Sequence, residues 1–320
     1  MGSSLSLRTP AGFDLKRVVC SYGYFLLAPN AWNPASQQLV RPLRIGAGDV
    51  DREGDGEIVV CAIGQPGGPG EAVRVACDKR LDALSRGLVK RSLHRMLRID
   101  ERLPRWPTIC PAARRRLFGR LFRSPTLFED MVKTITGCNV TWRNTIAMNR
   151  RLVAAVGGGA FPSPRQLARW TPSRLKQRCR VGYRADRIIR LARAFDRGDL
   201  RPEWFEAPDR STDELHEALL EIEGFGPYAA ANVLQLLGRY DHLPIDTETY
   251  RHFCQVEGRP RPGNDRDLDA DILARYEPYR PYRFLAYWFE LWRDYERRFG
   301  DAWTWDPATT GTNFTASVLK

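Results

Sequence analysis

Asp246 is the residue whose type and place most directly suggest chemistry. It follows Leu243-Pro244-Ile245 and precedes Thr247-Glu248-Thr249-Tyr250-Arg251, after a Pro-containing loop and at the apparent start of a helix, 20 residues beyond Gly226. A carboxylate fixed there could orient a water molecule or stabilise positive charge developing on a reacting carbon. It could equally be a plain N-cap of the helix that begins at Thr247, and the two roles are compatible. Upstream, Gly224-Phe225-Gly226 supplies a tight turn. Its glycines let backbone N–H groups near a helix N-terminus approach a phosphate with no side chain between them. The other reactive residue types form no constellation. The seven cysteines are scattered without a CxxC pair, and none of the four histidines lies near a cysteine cluster or another histidine. That pattern argues against zinc and against a disulfide framework, and it predicts reduced thiols in a cytoplasm, as in a bacterial nucleoid, or in a nucleus.

The elements around Asp246 read as a helical hairpin. Ser211 followed by Glu214 fits a capping box, and Leu215, Ala218, Leu219 and Ile222 repeat on one helix face. That helix should end near Glu221, and Pro227 suits the first position of a second helix through Ala229 to Leu237. The hairpin as a whole spans 211–238.

Further out, two regimes are expected. Val18–Leu27, Leu39–Ile45, Gly56–Ile63 and Ala72–Cys77 are short runs rich in β-branched and aromatic residues, separated by Pro, Gly, Asp and Asn. They predict an antiparallel sheet of four or five strands with one solvated face. From Leu81 the period becomes helical, with Leu84, Leu88, Leu93 and Leu97, then Leu117, Leu121, Leu127, Met131 and Ile135 beyond a Pro-rich break at Leu103–Pro111. The fold class is therefore α+β: an N-terminal antiparallel β-sheet domain over 1–80, a mostly α-helical core over 81–305 and a C-terminal tail over 306–320.

In 320 residues there are 50 Lys plus Arg against 38 Asp plus Glu, a net charge of +12, with 43% hydrophobic residues. Such a chain can build more than one core, and no stretch is long and apolar enough for a membrane helix. The charge makes acidic polymers the first class of partner, with membrane surfaces the rival. Arg86 to Arg123 holds twelve Lys or Arg against Asp100 and Glu101, which marks Arg114, Arg115 and Arg116 as candidate phosphate contacts. A solvated helix face is the plainer reading of such a run.

The hairpin, the following Pro-containing loop and Asp246 together resemble the helix-hairpin-helix GPD superfamily of DNA glycosylases. The resemblance implies that Asp246 is the catalytic carboxylate and that Gly224, Phe225 and Gly226 anchor DNA. Tyr228 stands where bifunctional members carry the lysine that forms a Schiff base, which implies monofunctional chemistry without a lyase step. Tyr276-Glu277-Pro278-Tyr279-Arg280-Pro281-Tyr282-Arg283-Phe284-Leu285-Ala286-Tyr287-Trp288 is similar to a segment of the AlkA-type 3-methyladenine, or alkylpurine, branch, and puts Trp288 beside Tyr228 in a base pocket. Phe161-Pro162-Ser163-Pro164 and the stretch from Val181 to Leu191 also resemble that branch, so the similarity runs from about Phe13 to Phe299.

Asn139 is placed as the residue that fills the gap left by an extruded base, where the AlkA branch has an apolar residue and 8-oxoguanine glycosylases have asparagine. The plainer readings are an ordinary helix-terminal or turn residue for Asn139 and a core tryptophan for Trp288, and both stay open. No iron–sulfur signature is present and no cofactor is required. The family hairpin implies a structural Na or K ion on the backbone carbonyls of Leu220, Ile222 and Phe225. The expected protein is a monomeric DNA glycosylase of base excision repair. It would flip a damaged purine, alkylated on this resemblance, out of double-stranded DNA and hydrolyse the glycosidic bond to leave an abasic site. Oxidised or deaminated bases, and a non-catalytic DNA-binding role, are the alternatives.

Overall fold

The computed structural model describes residues 2–46, 56–306 and 309. Of the tail expected over 306–320, all but Asp306 and Thr309 lies outside the described residues. Five strands, β1 (Ser4–Leu7), β2 (Ala31–Asn33), β3 (Gln38–Ile45), β4 (Glu57–Gly64) and β5 (Val73–Cys77), form one antiparallel sheet in the order β1-β5-β4-β3-β2. In β5, Val73, Val75 and Cys77 are buried while Arg74 and Ala76 are exposed, so period-2 alternation sets the inward face.

One expected strand is absent. Val18–Leu27 forms helix α1 (Leu15–Val19) and a 3-10 turn over Gly23–Leu26. Its alternating apolar residues are buried nearly without interruption, a pattern that does not separate strand from compact helical turns.

Fourteen further helices follow among the described residues: α2 (Ala83–Leu97), α3 (Trp106–Ile109), α4 (Pro111–Arg115), α5 (Leu127–Gly137), α6 (Trp142–Ala155), α7 (Pro164–Ala168), α8 (Pro172–Cys179), α9 (Arg184–Arg197), α10 (Pro202–Phe205), α11 (Thr212–Glu221), α12 (Pro227–Leu236), α13 (Thr247–Val256), α14 (Asp269–Tyr276) and α15 (Arg283–Phe299). The expected period through Leu117 and Leu121 does not form a helix; Leu117 is exposed and Leu121 is buried in a segment without regular secondary structure. None of the described helices is long and apolar enough to cross a membrane.

The hydrophobic cores divide the chain differently from a boundary at residue 80. One core joins the sheet and α2 to the C-terminal helices, with Leu39, Val59, Leu93, Met96, Phe284 and Trp292 in a single cluster. The second belongs to the intervening helices, with Met131, Ile135, Ile188, Leu219 and Val233 at its centre. The chain leaves the first core after Phe122 and rejoins it at Leu236.

Much of the positive charge between Arg86 and Arg123 is structural. Arg98, 4% exposed, donates to the carbonyls of Leu121 (2.6 Å), Gln235 (2.7 Å) and Leu236 (2.9 Å). Arg123 reaches Arg95 O and Leu236 O, Arg120 reaches Glu101 O, and Arg95 pairs with Asp130 and Glu206. The irregular backbone between α2 and α5 thereby finds donors that no sheet or helix ladder provides. These four arginines are committed to the fold, so the local excess of charge is neither a wholly solvated face nor wholly available to a polyanion.

A buried ion cluster ties the sheet to α5. Arg41, at an inward position of β3, donates to both oxygens of Glu129 (3.0 and 2.6 Å), and Lys133 Nζ lies 2.7 Å from Glu129 Oε1. Burial pushes the Glu129 carboxyl up, but the two cations pull it further down, and it lies below the usual range. Removing the anion would leave two buried cations facing each other. Glu129→Ala is expected to lower unfolding free energy by about 3–5 kcal/mol, measured as a shift of the urea midpoint at constant slope.

Candidate functional site

A cleft of about 1080 Å³ opens where the two cores meet. The second core contributes the end of α5, the start of α6 and the α11–α12 turn. The first contributes the 3-10 turn at Tyr22–Tyr24, the start of α13 and one face of α15.

Asp246 lies in this cleft as the N-cap of α13. Its Oδ1 accepts from the backbone N–H groups of Glu248 (3.0 Å) and Thr249 (2.9 Å) and from the Thr249 hydroxyl (3.0 Å). In return Asp246 N–H donates to Thr249 Oγ1, which completes a capping box. Oδ2 accepts no hydrogen bond from the described residues, so one oxygen holds the carboxylate in place and the other is free for chemistry. Burial pushes the carboxyl above its usual range, against the downward pull of the Thr249 and Glu248 donors and with the Glu248 charge adding to the rise. A helix start alone would favour the ionised form. Here desolvation outweighs it.

Aromatic rings wall the cleft. Trp288 stacks between Phe284 (5.8 Å, 10°) and Trp292 (5.3 Å, 28°), and Tyr22 leans on it at 4.9 Å. Its indole N–H donates to Ser21 O (2.8 Å), which fixes the ring plane. Trp288 is thus both a packed core ring and a partly exposed cleft wall. Tyr228, at the start of α12, also lines the cleft; burial first and the Asp246 charge next keep its phenol protonated. Tyr22 donates to Asn232 Oδ1 (3.1 Å) and Tyr24 bonds Thr134 Oγ1 (3.0 Å), which pin the 3-10 turn to α12 and α5.

Tyr22, Tyr24, Tyr287 and Lys133 line the cleft although sequence reasoning did not select them. The signal for the first two was the Ser21-Tyr22-Gly23-Tyr24 run, in which Gly23 is forced: a Cβ there would sit 2.9 Å from the Trp142 ring.

The turn between α11 and α12 has the expected local chemistry. Ser211 and Glu214 cap each other reciprocally, and α11 ends at Glu221. Gly224 has φ +92°, and a Cβ would lie 2.6 Å from Arg187 Cδ, so only glycine fits. Gly226 has open space around it and an ordinary φ, so the fold itself does not demand glycine there. It leaves the first N–H groups of α12 accessible to an approaching group. Phe225 buries its ring in the second core, leaving only its backbone at the surface. The carbonyls of Leu220 and Phe225 accept no hydrogen bond from the described residues, and that of Ile222 accepts from Phe225 N–H (2.9 Å).

Asn139 is exposed at the cleft edge with φ +50°, a conformation asparagine tolerates. The Arg184 guanidinium donates to the carbonyls of Cys138 and Asn139, bracing that loop. The structure therefore brings together Asp246, Tyr228, Trp288, Asn139, Gly224, Phe225 and Gly226. It does not bring Arg114, Arg115 and Arg116 there. These are exposed on and after α4, and Arg116 pairs with Glu296 (3.0 Å) away from the cleft face of α15.

No protein-family model matches the chain. The fold is that of DNA glycosylases of known structure. A 3-methyladenine DNA glycosylase from Archaeoglobus fulgidus superposes with a TM-score of 0.65 at 16% identity, covering 93% of this chain and 99% of the other. An 8-oxoguanine glycosylase/lyase from Clostridium acetobutylicum gives 0.62 at 14% identity, covering 91% and 97%. In sequence, the chain is similar to a DNA-3-methyladenine glycosylase of Bacillus subtilis, 25% identical over 190 residues, or 56% of this chain. The match spans 61% of that relative's own length.

Because the folded state holds the Asp246 proton more tightly than an unfolded chain does, the ionised carboxylate lowers stability as pH rises through its ordinary range, near about 4, to its raised folded value. Asp246→Asn keeps the capping oxygen without the charge. It is expected to raise the urea midpoint at pH 7, with the gain shrinking as the pH is lowered towards the ordinary carboxyl range.

Proposed function

We propose that the chain is a monofunctional DNA glycosylase that removes alkylated purines from double-stranded DNA in base excision repair. The observation that carries this reading is the divided Asp246 carboxylate: Oδ1 fixed by three donors, Oδ2 open to an aromatic cleft beside the hairpin turn. The names of the Bacillus and Archaeoglobus proteins support it.

Breaking an N-glycosidic bond develops positive charge on the sugar. A held anion stabilises that transition state more than the neutral ground state. Oδ2 can also orient the attacking water. The base must first leave the stack, at a cost of about a few kcal/mol, and Asn139 at the cleft edge is positioned to occupy the gap. The hairpin amides would hold the backbone phosphate. An alkylated purine is cationic, so the Tyr22, Tyr228 and Trp288 rings would attract it and it would depart without a strong general acid.

The amines present support the monofunctional reading. Tyr228 offers a phenol, and among the described cleft residues the lysine is Lys133, fully buried and paired with Glu129. A monovalent cation would suit the Leu220, Ile222 and Phe225 carbonyls at the negative end of α11, where two of the three lack donors.

A second reading, oxidised bases, is favoured by the exposed Asn139 alone. A release assay comparing 3-methyladenine, 7-methylguanine, hypoxanthine and 8-oxoguanine decides between the two.

Asp246→Asn is expected to bind lesion-bearing duplex yet lose single-turnover excision by about a thousandfold or more, scored as alkali-labile abasic sites. Near-normal excision by the folded variant would defeat the mechanism. With wild-type protein, alkali or heat should be needed to reveal breaks; strand scission without them would mean lyase activity. Asn139→Ala should slow excision from fully paired duplex more than from a mismatched context, and equal slowing would remove Asn139 from the gap-filling role.

A further inference from the structure

Helix α15 has two working faces. Phe284, Tyr287, Trp288, Leu291, Trp292 and Tyr295 line the cleft. Phe289, Glu290, Arg293 and Arg297 fall about 100° to 200° around the helix from Trp288 and line a separate hollow of about 410 Å³. Arg275 and Tyr276 of α14, with Tyr279, close it from the other side.

Its charges do not cancel. Three arginines meet one carboxylate, Glu290, which is already taken by Arg275 Nη2 (2.7 Å) and by the Tyr276 hydroxyl (2.8 Å). Arg275 Nη1 is taken by Glu257. Arg297 has only a 3.4 Å contact to Asp294 and is 65% exposed. Arg293 lies over the Phe289 ring at 5.7 Å and pairs with no carboxylate among the described residues. The Nε atoms of Arg275 and Arg293 are both buried without an acceptor. Each of these two wall residues thus keeps one inward-buried donor unpaired, a state that buried polar groups rarely adopt.

We propose that this hollow binds a terminal phosphate group, free or as a monoester. A guanidinium presents parallel N–H donors that match a phosphate oxyanion; Arg293 pairs with no carboxylate among the described residues, and Arg297 is exposed with one long contact to Asp294. Tyr276 and Tyr279, with ring centroids 6.4 Å apart, give the hollow an aromatic wall beside that charge. Its volume lies in the range of small-molecule sites. The same chemistry could come from free phosphate, from a nucleotide or from the terminal phosphate of a DNA strand.

Calorimetric titration of the full chain at constant ionic strength tests this. The probes are inorganic phosphate, a nucleoside 5′-monophosphate, and one short oligonucleotide with and without a 5′-phosphate. At least one phosphate probe should bind, and Arg293→Gln should weaken it about tenfold while Asp246→Asn leaves it unchanged. Arg297→Gln, at an exposed position, should weaken it as well and guards against misfolding of the first variant. The tightest probe names the source. Absence of binding by every probe, or binding unchanged in both arginine variants, would overturn the proposal.

Discussion

The cleft depends on how the two oxygens of Asp246 are divided. Oδ1 is committed to the first turn of α13 by two backbone donors and one hydroxyl, so the carboxylate cannot rotate without uncapping the helix. Local secondary structure thereby fixes the orientation of the carboxylate. Burial acts against the same group by opposing its charge. An anion held by a cap and made reluctant by burial would gain most when a cation forms next to it, because that charge supplies what the missing water would have. The stability of α13 and the readiness of the site thus rest on one side chain.

The aromatic walls are a consequence of where the two cores meet. Neither core makes the cleft alone: Tyr228 and Asn139 come with the inner helices, and Tyr22, Asp246 and Trp288 come with the sheet-bearing core. The Tyr22–Asn232 hydrogen bond and the Arg41–Glu129–Lys133 cluster cross between them. Both crossings are polar and directional, so they set the relative placement of the two sides more sharply than apolar packing would.

The hairpin was legible because its determinants are local. Ser211, Glu214, Gly224 and Pro227 act within a few residues of themselves, and the structure has the cap, the positive φ and the helix start that they imply. Three of the strands were legible through alternation. The Tyr22–Tyr24 turn was not, because its aromatic residues alternate like a strand, and what leaves no room for a side chain at Gly23 is the Trp142 ring, 119 positions away. The structural part of the arginine run was hidden for a related reason: composition shows charge, while the acceptors of Arg98 and Arg123 are carbonyls far along the chain. Lys133 and Glu129 have the spacing of an ordinary exposed helix pair. Only the arrival of Arg41 from the sheet shows them as buried.

The sheet-bearing core is assembled from two stretches of chain separated by the whole inner helical unit, since it is left after Phe122 and resumed at Leu236. During synthesis on a ribosome, the sheet and α2 would emerge long before α14 and α15 existed to cover them. The apolar side chains that eventually meet Phe284 and Trp292 would stay uncovered while more than a hundred further residues were made. The inner helices, whose contacts lie within one continuous stretch, could consolidate first. In such an order the cleft would be the last feature to appear, closed into shape only when the C-terminal helix returned to the strands with which the chain began.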